Sequence, residues 1–161
     1  MQRQSPPGLG FALRFFAYLL LFSVVFWYFS LHQHLGPVQR RIAALSALGA
    51  RAVGGQAIAR GEDIVVLAMT LTVNHECTGI FVCMLYVAFV LAFPVRWRGR
   101  VIGLAIGIAG IFVANVLRLA MLARVVEIYP QAFFYLHEYV WQGLFTVFVL
   151  LGAIAWAERY D

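Results

Sequence analysis

The sequence predicts an all-α integral membrane protein with about four transmembrane helices, on three observations. Of its 161 residues, 63% are hydrophobic and only 12% are charged, whereas a soluble domain is about 45–50% apolar. Mean hydropathy is +0.86, so the solvent is lipid rather than water. The apolar residues fall in runs of spanning length joined by short Arg-bearing connections. At roughly 20 residues per span, about four spans use half of the chain, so residues 1–161 read as a single membrane domain.

The first run, residues 11–31, is rich in Phe, Leu, Val and Trp with one charge at Arg14. It exceeds the apolar core of a signal peptide, about 7–15 residues. His32-Gln33-His34-Leu35-Gly36-Pro37 follows in place of a small-residue cleavage site, so a retained anchor is expected. In residues 36–76, Arg40, Arg41, Arg51, Arg60, Glu62 and Asp63 interrupt the apolar residues, which makes this the one sizeable extramembrane segment. Val38, Ile42, Leu45 and Leu48 follow helical spacing. They predict an interfacial amphipathic helix with Arg40, Arg41 and Arg51 toward water or headgroups, ended by Gly54-Gly55. Residues 64–73 are β-branched and follow the turn-like Arg60-Gly61-Glu62-Asp63, which predicts a short strand or hairpin.

A second span is expected at 78–94, then the basic turn Arg96-Trp97-Arg98-Gly99-Arg100, and a third span at 101–122. A polar stretch at 124–138, broken by Pro130, precedes a fourth span at 139–157. Arg3, Arg14 and the arginines of the basic turn favour a cytoplasmic position for both termini and an extracytoplasmic one for residues 36–76. The arginines within 36–76 pull the other way.

The net charge is +5 and the isoelectric point about 9.7, but all 12 basic residues are Arg and sit mainly beside apolar stretches. That placement serves topology and lipid phosphates, and no nucleic-acid partner is expected. Cys77 and Cys83 form a C-x5-C pair, too wide for the usual C-x-x-C redox or zinc patterns. The chain has no Gly-rich phosphate loop and no His pair at i, i+4 on a span. No cofactor and no metal are expected.

This up-and-down threading brings three chemistry-bearing residues to one membrane face, whichever way the chain inserts. Cys77 opens span two within Asn74-His75-Glu76-Cys77-Thr78-Gly79. Free backbone N–H groups and a helix dipole there would favour its thiolate, with Glu76 opposing. The plain alternative is a small residue filling a gap. Arg118 lies near the end of span three, where a charge costs up to about 2.5–3.5 kcal/mol on insertion scales. Asn115 precedes it by three positions on the same helical face, so both would point into the bundle; the competing reading is snorkelling, which suits Arg124 better. His137, in Tyr135-Leu136-His137-Glu138-Tyr139, is either an interfacial belt residue or a proton carrier for Cys77. His75, His32 and His34 compete for that role, and Cys83 reads as packing.

At these residues the chain resembles the exosortase and archaeosortase family of polytopic membrane transpeptidases. The likeness rests on Glu76-Cys77-Thr78-Gly79-Ile80, on Asn115-Val116-Leu117-Arg118 and on His137 before the last helix, and covers the chain from about residue 36 onward. Many members have more spanning helices and Cys-Ser-Gly or Cys-Ala-Gly where this chain has Cys77-Thr78-Gly79; its size is similar to compact members such as the exosortase H type. The resemblance implies catalytic Cys77, Arg118 and His137, with Asn115, Thr78 and Gly79 in support. It implies a cytoplasmic-membrane enzyme active at the extracytoplasmic face on exported proteins with a carboxyl-terminal sorting signal: a motif, a transmembrane helix and a basic cluster. A thioester on Cys77 would pass to water or to a glycan or lipid acceptor.

Two other readings use the same residues. A quinone-linked membrane thiol oxidoreductase needs cysteines that exchange, and Cys83 lies deep for that. A non-catalytic assembly or transport subunit would make Arg118 an ion-pairing or structural residue.

Overall fold

The computed structural model describes residues 8–31, 34–67 and 69–160; Arg3 and His32 lie outside them. Among the described residues the chain is mostly helical. In order come α1 (Leu9–Leu31), α2 (Gly36–Ala52), β1 (Ile58–Arg60), β2 (Asp63–Val66), β3 (Met69–Thr72), a 3-10 turn (Glu76–Thr78) and α3 (Ile80–Ala92). After them come α4 (Trp97–Ile128), a 3-10 turn (Pro130–Ala132), the single turn α5 (Phe133–Tyr135), a π-helical turn (Leu136–Val140) and α6 (Trp141–Tyr160).

Three helical stretches are long and apolar enough to cross a membrane: Leu9–Leu31, Trp97–Ile128 and Pro130–Tyr160. They contain the expected first, third and fourth spans. The expected second span, 78–94, contains the shorter α3 of 13 residues, about 20 Å long against a hydrocarbon layer of about 30 Å. Pro94 accounts for the early end, because it disfavours helical geometry in the residue before it; Phe93 is extended, with ψ 135°. Length and composition thus carry three crossings, with α3 packed against α1, α4 and α6.

Helix α1 runs beside α3. Phe11 meets the rings of Phe89 and Phe93 at 5.9 and 6.2 Å near one end, and Phe26 approaches His75 at 6.2 Å near the other. Helix α4 is the axis of the molecule. Its 32 residues extend about 48 Å, more than a bilayer requires, and the surplus builds a separate layer at the Cys77 end. There Leu119, Ala120, Leu122, Ala123 and Val126 share a core with α2 and the sheet.

The sheet is an antiparallel meander in the order β1-β2-β3. Gly61, at φ 63°, makes the β1–β2 turn, and Ile64, Val66 and Leu71 face inward. The expected hairpin is therefore a three-stranded sheet that begins earlier, at Ile58. A helix stands at the expected place, α2, followed by Gly54 at φ 85°, and the face it packs on the protein is mostly one of small residues. Ile42, Ala43, Ser46, Ala47 and Ala50 are buried, while Val38, Leu45 and Leu48 are exposed. Small residues won because α2 lies very close to α4: a Cβ at Gly49 would stand 2.9 Å from the Cβ of Ala120.

A second core fills the bundle with larger side chains: Tyr86, Phe93, Ile111, Phe145, Val149 and Trp156. Tyr86 lies over Gly107 and donates its hydroxyl to the carbonyl of Gly103 at 3.0 Å, and Trp156 Nε1 donates to that of Gly99 at 3.1 Å.

Candidate active site

Cys77 sits where the two cores meet, on the turn between β3 and α3. Asn74 folds onto that turn: its side-chain oxygen and its carbonyl accept the Cys77 N–H at 3.0 and 3.1 Å, as a short polar side chain readily does in a turn. Thr78 Oγ1 donates to the His75 carbonyl at 2.7 Å and accepts the Ile80 N–H at 3.3 Å, so it ties the turn to the first residue of α3. Gly79 links the two helical turns at φ 73°, and a Cβ there would lie 3.1 Å from Asn115 Cγ. Only glycine takes that conformation without strain. Asn115, fully buried, donates Nδ2–H to the Cys77 carbonyl at 2.9 Å. The backbone of Cys77 is thus held at both its N–H and its C=O.

The sulfur faces His137, with Sγ 3.6 Å from Nε2. His137 belongs to the π-helical turn, a rare geometry that often re-aims side chains at functional sites. Its other nitrogen, Nδ1, lies 3.2 Å from Glu138 Oε1, and its ring stacks on Phe133 with centroids 5.3 Å apart. Sulfur, imidazole and carboxylate stand in the order that activates a nucleophile. Arg118 is 7% exposed, and its Cζ lies 5.2 Å above the ring of Phe145. No carboxylate among the described residues lies within ion-pair distance of it, so its N–H donors are available to an incoming oxygen.

These groups line one cleft of about 440 Å³. His75, Glu76, Cys77, Arg118, His137, Glu138 and Gln142 supply its polar wall, and Phe26, Phe81, Val82 and Phe145 its apolar one. The threading therefore brought Cys77, Arg118 and His137 together, with Asn115, Thr78 and Gly79 beneath them. His75 is exposed on the rim against Phe26, His34 packs on Phe29, and the imidazole at the sulfur belongs to His137. Cys83 packs against the bundle core, and both cysteines are free.

One expectation is corrected. Burial pushes the Cys77 thiol above its ordinary value, and Glu76 and Glu138 push the same way; Arg118 and a backbone hydrogen bond at Asn74 pull it down without prevailing. The thiolate is disfavoured at rest because burial strips the sulfur of the water that would solvate its charge. A thiol in that state needs a proton acceptor, which is the position His137 occupies.

Asn74 and Glu138 were not singled out from the sequence. Adjacent side chains on an α-helix point about 100° apart, so nothing in the His-Glu dipeptide signals a contact, which the structure forms within the π-helical turn.

Among protein-family models, the one described as transmembrane exosortase matches residues 6–156. No curated protein and no solved structure matches the chain.

Proposed function

The chain belongs to the transmembrane exosortase family, and from that premise we propose that it is a membrane-embedded cysteine peptidase or transpeptidase. Its substrates are exported proteins with a carboxyl-terminal sorting signal, cleaved at the extracytoplasmic face of the cytoplasmic membrane. The observation that carries this reading is the 3.6 Å approach of Cys77 Sγ to His137 Nε2 in a cleft shared with Arg118.

The chemistry follows from the positions. His137 Nε2 takes the thiol proton as Sγ attacks the carbonyl carbon of the scissile peptide bond. The resulting oxyanion is held by Arg118, a buried cation, itself oriented by Phe145. On collapse the C–N bond breaks, the leaving amine takes the proton from His137, and the acyl group remains on Cys77 as a thioester. Water, or an amine or hydroxyl of a glycan or lipid, then attacks the thioester and returns the proton to the sulfur through His137. Asn74, Thr78, Gly79 and Asn115 keep the nucleophile's backbone fixed, and Glu138 orients the imidazole.

The oxidoreductase reading is less well supported, because Cys77 packs with the outer layer and Cys83 with the bundle, and the partner at the Cys77 sulfur is an imidazole. The deciding experiment co-expresses a tail-bearing substrate with wild type, Cys77→Ala, Arg118→Ala and His137→Ala and follows its size on a gel. Shortening by wild type and none with Cys77→Ala is the expected result. Processing that persists in Cys77→Ala overturns the nucleophile, and loss with Arg118→Ala alone favours a non-catalytic subunit.

A further inference from the structure

At the end of the bundle opposite Cys77, α4 and α6 enclose a second cleft. The cleft has a volume of about 500 Å³, and its apolar part is walled by Gly107 and Gly110 of α4, Phe148 and Gly152 of α6, and Tyr86 of α3. It runs out past Arg159 and Tyr160, which also line a polar cleft of about 680 Å³ with Arg96 and Arg98. An apolar slot thus ends in a cationic mouth. The three guanidiniums are exposed, and among the described residues none has a carboxylate within ion-pair distance. Glu158, beside Arg159, is exposed and lines neither cleft.

We propose that this slot binds an anionic phospholipid, with an acyl chain along the glycine wall and the phosphate held by Arg96, Arg98 and Arg159. The apolar part has room for a chain: a Cβ at Gly110 or at Gly152 would meet nothing within 4 Å. Its walls are fixed by Tyr86 and Trp156, which are hydrogen-bonded to α4 carbonyls, so the slot is built into the fold. Charge selects the occupant. Guanidinium matches phosphate oxygens in geometry as well as in sign, and arginines near a membrane surface draw anionic headgroups. A peptide helix ending in basic residues, such as the tail of a sorting signal, would meet three like charges at this mouth. The site is independent of Cys77 chemistry and stands or falls separately from it.

The test is native mass spectrometry of the purified full chain in detergent, with phosphatidylglycerol or phosphatidylcholine of the same acyl chains added. Wild type is expected to retain phosphatidylglycerol at least about tenfold more strongly. Arg98→Gln with Arg159→Gln removes that preference by removing charge. Gly152→Leu removes it with every charge in place, by filling the slot; Gly110→Leu, also directed into open space, repeats the test should Gly152→Leu lower the melting temperature. An undiminished preference in both glycine variants overturns the site in favour of surface attraction. Displacement by inorganic phosphate overturns it in favour of a headgroup-only anion site, and displacement by a synthetic transmembrane peptide with an Arg-rich end assigns the slot to a peptide helix.

Discussion

The outer layer and the bundle use opposite packing strategies. The outer layer is built from alanines and β-branched residues of α2, the sheet and the end of α4, and Ala43, Ala50, Ala57, Ala123 and Val126 are completely buried in it. The bundle is built from aromatic rings laid against glycines, with Leu144, Val147, Phe148 and Leu151 of α6 left exposed and two clefts kept open along it. Side chains facing lipid need no protein partner, so a bundle of apolar helices can stay loosely filled; a layer of small side chains gains its stability only by packing closely. The nucleophile candidate hangs from the dense layer, while Arg118 and Phe145 come from the open one. That division suits a site that must fix one atom and admit a long substrate.

After loss of the nucleophile itself, removing the groups that face it from either region should have the largest effect. Arg118→Ala and His137→Ala are each expected to lower processing about 10²- to 10⁴-fold, measured as the rate of substrate shortening at equal protein abundance. A loss below tenfold in Arg118→Ala would mean that another group holds the oxyanion.

The dense layer is tested next, through its fold. Gly49→Leu forces a side chain between α2 and α4 and should destabilise the protein by about 1–3 kcal/mol, as overpacking does; Leu45→Ala, at an exposed position, should stay within about 0.5 kcal/mol. Thermal melting in detergent compares the two, and equal shifts would contradict the packed face assigned to α2. Gly79→Ala probes the seam between the layers. It adds left-handed strain of about 1–2 kcal/mol and crowds Asn115, so Cys77 processing should fall more steeply than the melting temperature.

Much of this division could be read from the sequence, and the misses have physical causes. Cys77, Arg118 and His137 stood out because polar residues beside apolar runs are rare and costly, and up-and-down topology alone carried them to one face. The face that α2 packs on α4 left no signal in the spacing, which counts large apolar residues, whereas the closeness of α4 selects Ala43, Ala47 and Ala50. The shortness of α3 was signalled by Pro94, which spacing alone underweighted. The Glu138 contact depends on a π turn, and the Asn74 contact on a turn closing upon itself; neither leaves a periodic trace.

The smallest expected effect is the most informative about how the two regions act on each other. Burial in the dense layer raises the Cys77 thiol and Arg118, from the open side, lowers it. In a Cys83→Ala background, iodoacetamide should alkylate Cys77 with a midpoint above the about 8.5 of a free cysteine, because the raised value postpones thiolate formation to higher pH. Arg118→Gln removes a lowering charge and should move the midpoint further up. Glu138→Gln removes a raising one and should move it down, even though the same change loosens His137 and slows processing. Opposite shifts from two residues of one cleft cannot come from a general loosening of the fold, which would expose the thiol and lower the midpoint in both. An unchanged midpoint in Arg118→Gln would show that the guanidinium does not reach the sulfur and that the dense layer alone sets its reactivity.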